Sequence, residues 1–283
     1  MNAVGQHQYE LDIDVRNRKV VKTLRRSFKK AHHFLGGDFD PEIAYTDATL
    51  EEGTLTVDAP YDPDFYQDLY EKDAVIRAAD DRLDEELYGQ EPLPQEEIKS
   101  TIATFEEDNP AFRDVAELFR TEYQLKTASL SDDERVQMID EAAELSAADF
   151  MLLIDDIIDE YGSALDENDL DHTREYLQTF QAGRDLMDDV LSIEEDKRNG
   201  EYNPLHNAFI NDIEAQEIER LFERRFDRME ELQGQIEDSS HREQLRENTE
   251  YWRDEYEKAV KPVIEAYYSD DDHRQHIFRV LQK

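Results

Sequence analysis

FQAGRDLMDDVLSIEEDKRNGEYN, residues 180–203, decides how this chain is read. At about 100° per residue, Gln181, Asp185, Asp188, Ser192 and Asp196 fall in one stripe roughly 80° wide, with Asp189 on its edge. Leu186, Met187, Val190, Leu191 and Ile193 take most of the other side, so the segment is an amphipathic helix with an acidic face. Like charges four residues apart repel by a few tenths of a kcal/mol. Such a stripe is either solvated or neutralised by a cation, and hard oxygen ligands that leave room for water and phosphate are what Mg²⁺ uses.

Working outward, the same 3.6-residue periodicity covers most of the chain. It predicts helices at about 17–35, 64–88, 95–106, 110–125, 132–145, 147–161, 169–199, 213–237 and 243–268, with a short one after Asp272. Ser131 before Asp132, Asp133 and Glu134 is an N-cap with an acidic first turn, and Gly162 and Gly200 are helix stops. Between Gly36 and Pro63 the period is lost among glycines and prolines, with Thr54–Val57 a candidate short strand. The fold class is therefore all-α: an N-terminal basic helix and loop (1–62) followed by one large antiparallel helical bundle (63–283). Phe222, Phe226, Trp252, Tyr256 and Val260, on the long patterns near the C-terminus, belong to a core or a homodimer face.

Charge limits what the acidic runs mean. The 283 residues hold 72 Asp and Glu against 32 Lys and Arg, a net charge of −40. That excess fits adaptation to concentrated salt, where screening shortens to a few ångströms, and in such a chain acidic stripes arise without a ligand. Nucleic acid is not an expected partner, because phosphate binding needs a basic footprint. Cysteine is absent, which excludes disulfides, thiolate zinc sites and a cysteine nucleophile. No apolar run reaches the length of a membrane span and the first residues lack a signal-peptide core, so the expectation is a soluble cytoplasmic protein. Fourteen Tyr and thirteen Phe argue against wholesale disorder.

One stretch reverses the trend. Arg16, Arg18, Lys19, Lys22, Arg25, Arg26, Lys29 and Lys30 form a basic face on the first helix, opposite Val20, Val21, Leu24, Phe28, Ala31 and Leu35. The helix either docks on an acidic body or offers residues 16–35 to an anionic substrate or as a peripheral contact with an anionic membrane surface.

Two further aspartate clusters echo one another: Asp80-Asp81-Arg82-Leu83-Asp84-Glu85 and Asp155-Asp156-Ile157-Ile158-Asp159-Glu160, each DDxxDE and each ending near a Tyr-Gly. The first lies on a stripe with Asp73 and Arg77, bordering Ile76, Leu83 and Leu87. The second sits in more hydrophobic sequence.

DDRLD on one helix, followed about a hundred residues later by FQAGRDLMDD, resembles the class I isoprenoid synthases, which include trans-prenyl diphosphate, squalene and phytoene synthases and terpene cyclases. Phe180, Gln181, Asp185 and Asp188 resemble the second aspartate-rich motif of prenyl chain elongation, FQxxDDxxD, with Arg184 in place of its first Asp. Gln181, Arg184, Asp185, Asp188 and Asp189 are similar to NxxRDxxED of the squalene and phytoene synthases. Asp188, Asp189, Ser192 and Asp196, with Gly200-Glu201, resemble the (N/D)DxxSxxxE motif of the cyclases. Lys126-Thr127 is similar to a Lys-Thr pair of the chain-elongating enzymes but lies farther from Phe180 than their pattern has it, and no Arg-Tyr pair stands near the C-terminus. The resemblance covers roughly residues 70–205.

The resemblance implies the class I isoprenoid synthase fold and an enzyme acting on an allylic prenyl diphosphate, with ionisation followed by chain elongation, coupling or cyclisation. It implies Mg²⁺ held by Asp80, Asp81 and Asp84 on one helix and by Asp185, Asp188, Asp189, Ser192 and Asp196 on the other, with Arg184, Lys197 and Arg198 on the diphosphate. Asp80, Asp84, Asp185 and Asp188 are the expected catalytic carboxylates, and Asp155, Asp156 and Asp159 are an alternative first metal cluster. Two readings from other classes stand beside it. Glu141, Glu144, Asp156 and Asp159 give the ExxE and DxxD of a helical Mg²⁺-dependent nucleotide pyrophosphohydrolase, and salt adaptation alone gives a non-catalytic helical interaction protein.

Overall fold

The computed structural model describes residues 7–12, 15–36, 49–51, 54–59, 63–88, 95–109, 112–199 and 203–269. Helix dominates. α1 (Val15–Lys30) continues into a π-helical turn at Ala31–Leu35, and is followed by α2 (Pro63–Tyr88), α3 (Gln95–Asp108), α4 (Arg113–Thr127), α5 (Asp132–Tyr161), α6 (Glu167–Asn199), α7 (Leu205–Ile210), α8 (Ala215–Gln235) and α9 (Ser239–Glu255). A second π turn at Tyr256–Val260 leads into α10 (Lys261–Ser269). A small antiparallel sheet of β1 (His7–Asp12), β2 (Thr49–Glu51) and β3 (Thr54–Ala59) has the order β1-β3-β2, with Tyr9 opposite Val57 and Leu50 opposite Leu55.

Most element positions follow the periodicity, and the departures have local causes. The pairs 132–145 and 147–161 are one helix, α5, because Ser146 sits among alanines that carry the helix through. α9 begins at Ser239, four residues before the expected start, because Asp238 accepts hydrogen bonds from the backbone N–H groups of Ser240 and His241. β1 was not expected, although Tyr9-Glu10-Leu11-Asp12 alternates with period two. The helix expected after Asp272 lies outside the described residues. The Ser131 cap forms, and does so as a capping box: the Glu134 N–H donates to Ser131 Oγ at 3.4 Å and the Ser131 N–H to Glu134 Oε2 at 2.8 Å.

Close contacts group the chain into two compact units, Met1–Asp81 with Phe150–Leu170, and Arg82–Asp149 with Asp171–Lys283. Since α2, α5 and α6 each run across a unit boundary, helical periodicity carries no sign of it.

In the first unit α1 buries Val20, Leu24 and Phe28, and the π turn buries Ala31, Phe34 and Leu35. Lys72 Nζ pairs with Asp156 Oδ2 at 2.5 Å, the Phe65 and Tyr161 rings meet edge to face at 5.5 Å, and Ser163 Oγ donates to the Leu35 carbonyl at 2.5 Å. Gly36 ends the π turn at φ +64°, and a Cβ there would lie 2.9 Å from that of Ala164. Because both the left-handed backbone and the tight approach exclude a side chain, we expect Gly36→Ala to cost about 1–3 kcal/mol. A denaturant midpoint equal to that of the wild type would remove this contact from the account.

The second unit is held by α6 against α8 and α9. Fully buried Tyr176 donates to the Leu245 carbonyl at 3.0 Å and contacts Thr249 Oγ1 at 2.9 Å, while Thr173 Oγ1 and His241 Nε2 lie 2.8 Å apart. Phe222 stacks on Tyr256 at 4.8 Å, and Phe226 and Val260 are buried with them. These residues form a core, one of the two expectations for them.

Candidate functional site

α6 carries the acidic stripe on 33 helical residues. Its other side buries Phe180, Leu186, Met187, Val190 and Ile193, and this packing fixes the helix rotation and hence the direction of the acids. Asp188 is exposed, while Asp185, Asp189, Ser192 and Asp196 are half-buried. Gln181 Nε2 donates to Asp185 Oδ1 at 2.6 Å, one turn away. At the far end Ser192 Oγ donates to Asp196 Oδ2 at 2.5 Å, and Asn203 Nδ2 reaches the same oxygen at 2.9 Å and the Asp189 carbonyl at 2.8 Å.

Asn203 is the residue the sequence reading missed. It is fully buried, and its Oδ1 also accepts the Leu205 N–H at 3.0 Å, so one side chain ties the chain leaving α6 back onto the acidic stripe. The Asn203-Pro204 dipeptide, a turn-initiating pair, is the signal that could have found it. Next to it, His206 shares a 2.9 Å hydrogen bond with the Ile193 carbonyl, and burial lowers its pKa from the ordinary histidine value.

No Lys or Arg pairs with Asp188, Asp189 or Asp196 among the described residues. Desolvation first, and then the charges of Asp185, Asp196 and Asp188, push the Asp189 carboxyl well above the usual carboxylate range. These side chains are all hard oxygen donors, the type Mg²⁺ takes. Among the described residues no three acidic or histidine side chains converge on one point. Mg²⁺ does not require that, since it commonly binds through one or two carboxylates, with waters and substrate phosphates completing the shell.

The expected diphosphate ligands lie apart from one another. Arg184 lines a cleft with α8 and α9 residues and sits one turn before Asp188, on the border of the stripe. Lys197 is half-buried, and exposed Arg198 donates through Nε to the Glu194 carbonyl at 3.3 Å in its own last turn. Lys126 is exposed at the end of α4, where Thr127 Oγ1 donates to the Tyr123 carbonyl at 2.7 Å. Gly200 and Glu201 lie outside the described residues.

On α2, Asp80 and Asp81 are half-buried and belong to the first unit, whereas the side chain of Asp84 lies outside the described residues. One and two turns earlier, Asp73 is fully buried, its Oδ1 3.6 Å from Arg77 Nε. Burial raises its pKa, Arg77 opposes the rise and Asp80 adds to it. In the DDxxDE run of α5, Asp156 already has its cation in Lys72, and Asp159 is exposed. Of the acids expected for a pyrophosphohydrolase, Glu144 also lies by a cation, with Arg225 Nη2 3.6 Å away, and Glu141 is exposed.

On α1, Lys22, Arg25, Arg26 and Lys29 are exposed, and Arg16, Arg18 and Lys19 lie outside the residues whose side chains are described. Since the apolar face of this helix is occupied by its own core, a membrane contact there would be electrostatic, without insertion. Among the described residues no helix is long and apolar enough to cross a membrane. No protein-family model, curated protein or solved structure matches this chain.

Proposed function

We propose that the acidic face of α6 is a Mg²⁺ site, with Asp188 and Asp189 as its principal ligands, in an enzyme that binds the diphosphate of an allylic substrate in the manner of the class I isoprenoid synthases. One observation carries this reading. Among the described residues Asp188, Asp189 and Asp196 share a face of α6 with no ion-pair partner, whereas the competing acids Asp156 and Glu144 each lie within 4 Å of a cation. The raised Asp189 carboxyl supports it, because a divalent cation relieves the same surplus charge that protonation does. Bound there, Mg²⁺ would supply charge neutralisation for a diphosphate leaving group. The Asp80 cluster enters the proposal only through the sequence resemblance.

A non-catalytic helical module is the second reading. The bonds of Ser192 and Asn203 to Asp196 favour it, since they give that carboxylate a purely structural role.

The deciding incubation combines the protein, in high salt, with geranyl, farnesyl and geranylgeranyl diphosphates, with and without isopentenyl diphosphate. We expect Mg²⁺-dependent release of diphosphate. Absence of both binding and release across this series leaves the helical-module reading in its place.

A pH dependence follows from Asp189. A carboxyl whose pKa rises on folding favours the fold below its unfolded pKa and loses that contribution as pH climbs through the folded value. At pH 7 without Mg²⁺ the group therefore opposes folding. We expect Asp189→Asn to raise the melting temperature at pH 7 and to lose this advantage below about pH 4. A variant that melts lower at pH 7 would show the carboxylate to be stabilising as it stands.

A further inference from the structure

α1 docks on its own unit through its apolar side, where Val20, Leu24, Ser27 and Phe28 are buried. Its cations are not used in that docking. Lys22, Arg25, Arg26 and Lys29 are exposed, at the spacing i, i+3, i+4 and i+7. At about 100° per residue they occupy one stripe roughly 100° wide and about 10 Å long. Lys30, half-buried with its Nζ 4.5 Å from the centre of the Phe150 ring, marks where the stripe ends and the packed side begins.

The stripe runs against everything that explains the rest of the surface. Acidic residues make up about a quarter of the chain, 72 of 283, yet none occurs from Val15 to Gly37. Salt adaptation yields acidic faces without a ligand, and it does not yield this one. Helix stability does not call for it either. Lys22 and Arg26, and Arg25 and Lys29, are like charges four residues apart, which repel, and of the four only Lys29 lies in the last turn, where the helix dipole favours a cation.

We propose that this cationic stripe docks the protein on the surface of an anionic lipid bilayer, through headgroup contacts and without insertion. Four or more basic residues on one helix face are the pattern that attracts anionic leaflets, and the apolar side that would insert is already buried in the protein. A small anion would need cations that converge on it, whereas these stand along a convex ridge. A nucleic acid holds its phosphates in a fixed array and needs many contacts to withstand salt; lipid headgroups diffuse laterally and gather beneath a fixed row of cations. Screening reaches only about 3 Å at 1 M salt. In concentrated salt the net charge of −40 is therefore silent beyond the contact, and the sign of the contacting residues decides. The inference does not rest on the α6 metal site.

The test is flotation of the full-length protein with vesicles of phosphatidylglycerol or of phosphatidylcholine, at the lowest KCl that keeps full helix content by circular dichroism. EDTA is present, so that no divalent ion bridges acidic side chains to lipid. We expect flotation with phosphatidylglycerol, at least tenfold weaker partition onto phosphatidylcholine, and release as KCl is raised. Lys22→Gln combined with Arg26→Gln should weaken partition about tenfold. The charge-matched control, Lys99→Gln combined with Arg220→Gln at exposed positions on α3 and α8, should partition as the wild type does. No flotation, equal partition onto the two lipids, equal loss in the two double variants, or flotation that KCl does not release would each overturn the inference. So would a short duplex DNA that displaces the vesicles at equal phosphate concentration, which would assign the stripe to nucleic acid. Lipid selectivity and salt release are read in the wild type, so the test stands even if a variant does not fold. Since EDTA removes Mg²⁺, failure here leaves the α6 metal proposal standing, and failure of that proposal leaves this one.

Discussion

Dialysis from molar KCl into dilute buffer should unfold this protein, with helix recovered on restoring the salt. If every Lys and Arg were paired, 72 − 32 = 40 acidic residues would still have no cation. The ion pairs present do little against that excess. Many, such as Arg246 with Glu243 and Glu250, or Lys258 with Asp254, are exposed neighbours on one helix, and such pairs contribute about 0–1 kcal/mol each. The screening length grows from about 3 Å at 1 M to about 30 Å at 0.01 M, so repulsion that is local in high salt acts across the whole surface in low salt. Far-ultraviolet circular dichroism and the scattering radius during dialysis would show the transition. A melting temperature unchanged between about 1 M and about 0.01 M KCl would mean that the fold tolerates its charge without counterions.

Within the second unit the largest single-residue loss should come from Arg225→Ala. This side chain is almost fully buried and fastens α8 to α5: Nη1 pairs with Asp140 Oδ1 and donates to the Leu221 carbonyl at 3.0 Å, and Nη2 reaches the Asp140 carbonyl at 3.2 Å. Truncation removes these bonds and, among the described residues, leaves Asp140 with exposed Arg224, 2.7 Å away, and Glu144 with no ion-pair partner. Burial already raises the Glu144 pKa, and loss of the Arg225 charge that opposes the rise would push it higher. Breaking a buried ion pair from one side costs about 3–5 kcal/mol. Arg225→Lys, which keeps the charge without the fork, should recover only part of this. Equal denaturant midpoints for wild type and Arg225→Ala would show that the pair carries no net stability.

How much was legible in the sequence depended on whether the cause was local. Helix positions and the Ser131 cap follow from spacing and neighbouring side chains, and α6 lies within two residues of its expected limits because its apolar stripe has one period throughout. The Asp238 start of α9 was equally local and was overlooked in favour of the apolar pattern beginning later. Contacts over many residues were not legible: nothing in the string links Asn203 to Asp196 and Asp189, or Arg225 to Asp140. The resemblance implies a phosphate for Arg184, and that its side chain also lines a cleft with α8 and α9 residues was not legible in the string. At about 100° per residue Arg184 lies on the border of the stripe, one turn from Asp188, so the period alone does not separate it from the acids.

The proposed metal site is tested most directly by titrating Mg²⁺ calorimetrically into the wild type, Asp188→Asn, Asp189→Asn and Asp133→Asn at constant high KCl. Asp133 is an exposed acid in the first turn of α5 and serves as the control for diffuse cation binding. The account predicts a saturable site in the wild type and in Asp133→Asn, weakened about tenfold or more in Asp188→Asn and Asp189→Asn. Equal Mg²⁺ affinity in all four proteins, or no saturable binding in the wild type, would contradict it.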